Sequence, residues 1–143
     1  MGPEGPRVTR AVLDTNVVIS ALVFQGPAKA LVSFWQRKRI LLLASQALVE
    51  EHIRVLHYPK FRLTQAEIRY LVEEELLPFI TPVKVRRVPD VIREDPADNQ
   101  VLACASAGRA GLIVTGDHHL LVLSRYRQVP IVTISEFLKR VDR

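Results

Sequence analysis

Three aspartates stand at positions where a carboxylate needs a reason. Asp14 interrupts the apolar run Val12 to Phe24, and Asp117 closes the segment GLIVTGD, each just after a stretch that reads as a β-strand. Asp98 falls in the first turn of a segment, Pro96 to about Ala107, that reads as a helix. At about 100° per residue it shares a face with Val101, Leu102 and Ala105, the apolar face that must turn toward the core. A carboxylate taken out of water has to be paired, hydrogen-bonded or bound to metal, or it takes up a proton. Helix capping explains Asp14 and Asp117 taken singly, since an acid at a strand-to-helix junction accepts free N–H groups and suits the helix dipole. It does not explain Asp98, because Asp95, followed by Pro96, already supplies that cap.

A fourth acid comes from the segment Ser45 to about His57. Its apolar face is Leu48, Val49, His52, Ile53, Val55 and Leu56, with Glu50 and Glu51 on opposite flanks. Glu51 lies beside Leu48 and Val55, whereas Glu50 lies nearer Arg54; periodicity separates the two only weakly. No basic residue adjoins Asp14, Asp98 or Asp117 in sequence. Three or four carboxylates at one sheet edge would repel unless a hard divalent cation joined them. Carboxylate and water ligands suit Mg²⁺ or Mn²⁺, and no Cys/His spacing here suits zinc. One or two such ions lower the pKa of a bound water and stabilise charge on a scissile phosphate.

The elements that must position these acids alternate. Strands are expected at Val8–Leu13, Ile40–Leu43, GLIVTG and PIVTI. Between them come helices at Asn16–Phe24, Ala28 to about Gln36, and Ser45 to about His57, the last stopped by Pro59. Thr64 with Glu67 forms a capping box for a helix to about Leu77, stopped by Pro78. DHHLLVL reads as a short helix and SEFLKRV as a C-terminal helix capped by Ser135, while TPVKVRRV is a strand or an extended edge. Continuously apolar strand cores (LLLA, LIVT, PIVTI) mark a mainly parallel, twisted sheet covered on both faces: an α/β, three-layer sandwich. Ligands of such sheets sit at the carboxyl ends of strands where strand order reverses, so the informative residues are those just after strands, as Asp14 and Asp117 are.

The 143 residues fit one domain over 1–143, with the Gly/Pro-rich leader MGPEGPR (1–7) frayed. Apolar content of 48% with 24% charged residues excludes a disordered chain. Cys104 is the single cysteine, so no intramolecular disulfide forms, which fits a reducing compartment. The run Val12–Phe24 is too short to span a bilayer and nothing before it resembles a signal peptide, so the expectation is a cytoplasmic protein without a membrane partner. Lys and Arg number 20 against 15 Asp and Glu, and they recur in groups: Arg37-Lys38-Arg39, Lys60 with Arg62, Lys84-Val85-Arg86-Arg87, and Arg125 with Arg127. Such groups fit a solvated surface or affinity for phosphates; with the acids, they point to a nucleic-acid substrate.

Other chemistries lack their motifs. There is no G-x-G-x-x-G, no G-x-x-x-x-G-K-[ST] and no G-x-S-x-G. Asp14-Thr15-Asn16 lacks the second aspartate two residues on that an aspartyl-phosphate enzyme uses, and Thr15 reads as a turn and cap residue. Cys104, amid alanines, reads as packing, and Trp35 with Phe34 as core or interface. His52 reads as a satisfied core residue and His57 as a helix end. His118 and His119 are the histidines placed near the acids.

VLDTNVVISAL, SQALVEEHIRVL followed by HYPKF, DPADNQVLACA and IVTGDHHLL, in that order, resemble the PIN-domain nucleases. The likeness runs from Val8 to Leu138 and is nearest to the small stand-alone prokaryotic branch of toxin–antitoxin pairs. The resemblance implies a PIN-like fold and a Mg²⁺- or Mn²⁺-dependent endoribonuclease, in which a metal-activated water hydrolyses RNA to leave a 5′-phosphate and a 3′-hydroxyl. By that resemblance Asp14, Glu51, Asp98 and Asp117 are the catalytic, metal-binding acids, with Glu50 as the alternative to Glu51. Asn16 and Thr115 support them, and Asp95 is an outer acid whose capping role also suffices. Implied partners are RNA, a protein antitoxin and a second copy of the chain. One departure stands out: His119 occupies a position where this branch often carries a further aspartate, which bears on how many ions bind. A catalytically weak module that binds RNA or protein, and a nuclease acting on DNA, stay open as alternatives.

Overall fold

Alternation of buried side chains along one central strand sets the architecture. In the computed structural model, which describes residues 8–93 and 95–141, β1 (Thr9–Leu13) lies between β2 (Ile40–Ala44) and β4 (Leu112–Val114), parallel to both. The leader expected to be frayed, residues 1–7, lies outside those described. β3 (Ile80–Pro82) adds to β2 and β6 (Val129–Val132) to β4, again parallel, and β5 (Arg125–Tyr126) closes the far edge antiparallel to β6. The sheet order is β3-β2-β1-β4-β6-β5.

Ala11 and Leu13 face one side, with Leu42, Leu112 and Val114. There they meet α1 (Thr15–Val23), α2 (Ala30–Gln36), α4 (Gln65–Tyr70) and α7 (Ile134–Val141), through Val18, Leu31, Trp35, Ile68 and Phe137. Val12, Leu43 and Ile113 face the other side. They pack on α5 (Pro96–Ala107), on Leu120 of α6 (His118–Leu121), and on Leu48 near the start of α3 (Gln46–Leu56). The expected three-layer α/β sandwich is therefore present. Among the described residues no single helix is long and apolar enough to cross a membrane.

Caps fall largely where the side chains dictate. Ser45 Oγ accepts from Leu48 N, Asp95 Oδ1 from Ala97 N, and Thr64 and Glu67 bond each other's backbone N–H reciprocally. The C-terminal helix differs. It starts at Ile134, and Thr133, not Ser135, forms its capping box with Glu136. Residues Pro27–Lys29 form a 3₁₀ turn ahead of α2. The helix opened by Thr64 does not run regularly to Leu77; it widens into a π turn at Leu71–Leu76 and ends in a 3₁₀ turn at Leu77–Phe79. Pro78 removes a donor there and its ring crowds the preceding turn, while the Glu75 carbonyl is taken by Trp35 Nε1 at 2.9 Å. Of TPVKVRRV only the first residues pair, as β3; beyond Val83, whose N–H reaches Ala44 O, the chain leaves the sheet.

Candidate metal centre

Strand order reverses between β1 and β4, because the chain proceeds from β1 to β2 on one side and from β4 to β6 on the other. Loops leaving the carboxyl ends of two such strands diverge and open a crevice. Asp14 leaves β1 there, and Thr115 to Asp117 leave β4. The Asp14 side chain makes no capping bond to α1. Its Oδ2 instead accepts a 2.6 Å hydrogen bond from the Thr115 hydroxyl, which accepts in turn from Asp117 N at 2.9 Å. Asp117 does cap α6, its Oδ1 accepting from His119 N at 2.8 Å.

Asp98 projects into the same crevice from the first turn of α5 and is 5% exposed. Its Oδ2 is buried without a hydrogen-bond partner. Ligand atoms of Asp98, Asp117 and His119 all lie within 4.8 Å of one another. Burial first, then the charges of Asp117, Asp95 and Asp14, pushes the Asp98 carboxyl up from 3.8 to about 7. Burial likewise raises Asp14; the Thr115 hydrogen bond opposes it, and the charges of Asp117 and Glu51 add to it.

Glu51, on α3, adds its charge to that of Asp14 but is not among the three residues whose ligand atoms gather within 4.8 Å, and Glu50 does neither. Glu50 is exposed and accepts from Gln46 Nε2 at 3.0 Å. Glu51 Oε1 accepts from the Thr15 hydroxyl at 2.7 Å, and the Thr15 oxygen lies 2.8 Å from His52 Nδ1. A hydroxyl has one proton; given to Glu51, it leaves a lone pair for an Nδ1–H of His52. Burial holds the His52 pKa down at about 4, so the ring is neutral near pH 7 and carries that proton without adding charge. Thr15 is thus more than a turn residue, and His52, the satisfied core residue expected, is also linked through Thr15 to Glu51. The sole sequence signal for it was an imidazole on the face next to Glu51.

Among the other expected residues, Asn16 is exposed in the first turn of α1, and Asp95 is occupied as the α5 cap. His118 is exposed, while His119 Nδ1 lies 3.6 Å from Asp117 Oδ1. One unforeseen residue shapes the approach to α5. The buried Asn99 accepts from the N–H groups of Val91 and Ile92 and donates to Ile92 O, pinning the loop ahead of Asp98.

The PIN-domain sequence profile matches residues 10–119, a stretch that includes all four acids. This chain belongs to the PIN-domain family. PIN domains are nucleases, generally dependent on a divalent metal. The fold agrees: the crystal structure of PAE2754 from Pyrobaculum aerophilum superposes with a TM-score of 0.56 at 12% identity, covering 94% of this chain and 90% of that one. No curated protein matches the chain in sequence. The residues of this PIN domain fit such a metal, because a buried carboxylate oxygen without a partner, amid further carboxylates, is what a hard cation satisfies.

Proposed function

We propose that this PIN domain is a Mg²⁺- or Mn²⁺-dependent endoribonuclease, hydrolysing RNA phosphodiesters to a 5′-phosphate and a 3′-hydroxyl. The observation that carries the reading is the Asp98 oxygen, buried and unpaired beside Asp117 and Asp14. Asp14, Asp98 and Asp117 would hold the ion, with Glu51 completing the acidic set. When bound, the ion supplies a water of lowered pKa and stabilises charge developing on the phosphate. The chain's own residues orient the acids: Thr115 fixes Asp14, and the neutral His52, through Thr15, fixes Glu51. A cleft of about 670 Å³ is lined by Thr115, whose hydroxyl holds Asp14, with Gly116, Phe24 and Lys139, and has room for a nucleotide, although none of the four acids lines it. By the same reading the protein is a homodimer in the cytoplasm and the toxin of a toxin–antitoxin pair, held inactive by a protein antitoxin. A neighbouring short gene for a DNA-binding protein would support that role.

The test is cleavage of RNA with and without Mn²⁺, run beside Asp98→Asn and Asp14→Asn. Each variant should lose cleavage while keeping its far-UV circular dichroism. If either cuts as well as the parent, the site assignment is wrong. Preference for DNA of the same sequence in this assay would favour a deoxyribonuclease. A second reading, a module that binds RNA or protein with little turnover, is favoured by one observation: His119 sits against Asp117 where a further carboxylate would strengthen metal binding. A melting temperature indifferent to Mn²⁺, with no RNA cut at any pH, would decide for it.

A further inference from the structure

The loop after β3 and the β5–β6 turn close on the end of α5 remote from Asp98. Between them opens a cleft of about 850 Å³ lined by Lys84, Arg86, Arg87 and Arg127, with Tyr126 and Ser106. Among the described residues none of these four cations pairs with a carboxylate, and Arg127 donates to the Ser106 hydroxyl, at 3.3 Å. Four like charges lining one cleft repel unless an anion lies among them. Complementing the end of the α5 helix does not account for them. The Gly108 carbonyl there is already taken by Arg10, through Nε at 3.2 Å and Nη2 at 2.7 Å.

The turn that delivers Arg127 is built against local preference. Arg127 and Gln128 both adopt left-handed backbone, φ 47° and 74°, at positions where two-residue hairpins favour Asn-Gly. The arginine is held in a strained position with its side chain on the cleft. Its guanidinium lies 5.4 Å from the Tyr126 ring centroid, a pairing of aromatic face and cation that suits a stacked base.

α5 joins this cleft to the acidic centre. Eight residues separate Asp98 from Ser106, about 12 Å at the helical rise. At roughly 3.4 Å per stacked nucleotide, that is three to four nucleotides. We propose that this cleft is a second binding site for single-stranded RNA, gripping backbone phosphates three to four nucleotides from the scissile one. The inference rests on the ribonuclease reading. Single-stranded RNA is favoured over an acidic protein segment because the Tyr126–Arg127 platform offers stacking as well as charge.

The test begins with metal-free binding, so that nothing is cut. A labelled RNA of about twenty nucleotides, long enough to span both sites at that rise, is titrated in EDTA and followed by fluorescence anisotropy. Lys84→Gln with Arg87→Gln should weaken binding by roughly tenfold and flatten the slope of log K against log salt by about 1.4, near 0.7 for each phosphate no longer neutralised. Arg127→Asn, which eases the turn, should weaken binding while raising the melting temperature. In Mn²⁺, the advantage in kcat/KM of the long RNA over a trinucleotide should shrink by about the same tenfold factor. An unchanged affinity and salt slope in these variants would overturn the proposal. So would a polyglutamate peptide that binds as tightly as RNA and depends on the same residues, for the cleft would then be a protein-docking surface. Failure of the parent to cut any RNA would sink the ribonuclease reading, while the metal-free titration would still decide the cleft.

Discussion

At the residue scale, the charges of Asp117 and Asp14 bear on Asp98 and those of Asp117 and Glu51 on Asp14, with no lysine or arginine of the described residues paired to them, so a proton or a metal ion must balance Asp98. Its folded-state pKa of about 7 lies above the ordinary 3.8. In the metal-free protein its contribution to stability is therefore fully present below about pH 4, fades as pH rises, and is gone above about 7. A divalent ion binds the ionised form and reverses this trend. The rise in melting temperature on adding Mn²⁺ should thus be small near pH 5.5 and grow toward pH 8, as read by differential scanning fluorimetry, and be lost in Asp98→Asn. A rise independent of pH would mean that the ion does not compete with this proton. His52 acts one step further out. His52→Leu should weaken Mn²⁺ binding roughly 10- to 100-fold by freeing Glu51, and His52→Gln, which can still donate to Thr15, should recover part of it. Equal loss in both would reduce His52 to packing. Asp98 was legible in the sequence because one helical face exposes the misfit of an acid among apolar residues. The Thr15–His52–Glu51 chain was not, because it depends on how α1 seats against α3 and no local pattern encodes that.

At the element scale, α5 is the arm that holds Asp98 in the crevice, and its far end is tightly fitted. A Cβ on Gly108 would meet Val83 Cγ2 at 2.8 Å and Cys104 O at 3.0 Å. The glycine is there for space, not for backbone freedom, since its φ of −89° suits any residue. Gly108→Ala should cost about 1–3 kcal/mol by overpacking, a fall of roughly 3–9 °C in the melting temperature by calorimetry. No change would show that β3 and its loop yield freely. Elements with strong local signals were readable: continuously apolar β2 and β4, the mostly apolar β1, the Thr64–Glu67 box, the Asp95-Pro96 start of α5. Those set by competition were not. The π turn at Leu71–Leu76 arises where Pro78 and the Trp35 indole both act on one helix end. The β5–β6 hairpin uses Arg127-Gln128, which carries none of the usual turn residues. Thr133 and Ser135 are both competent caps, and pairing with Glu136 selects the first.

At the scale of the whole molecule, the acids come from four segments brought together only by the sheet order: the end of β1, the middle of α3, and the starts of α5 and α6. The unfolded chain has no such site, so an ion that binds here binds the native state alone and adds its binding free energy to folding. At a hundred times its Kd, that addition is about 2.7 kcal/mol, or roughly 5–10 °C for a chain of this size. The gain should also be shared. Amide hydrogen exchange should slow together at residues 14–16, 51–52, 95–99 and 115–119 on adding Mn²⁺, although more than a hundred residues separate the first from the last. Asp14→Asn should remove that protection from all four segments, because Asp14 is the link between β1 and the Thr115–Asp117 turn. Protection confined to 115–119 would mean that Asp117 and His119 hold the ion without the sheet's other arms, and the four-acid site would fail as a unit.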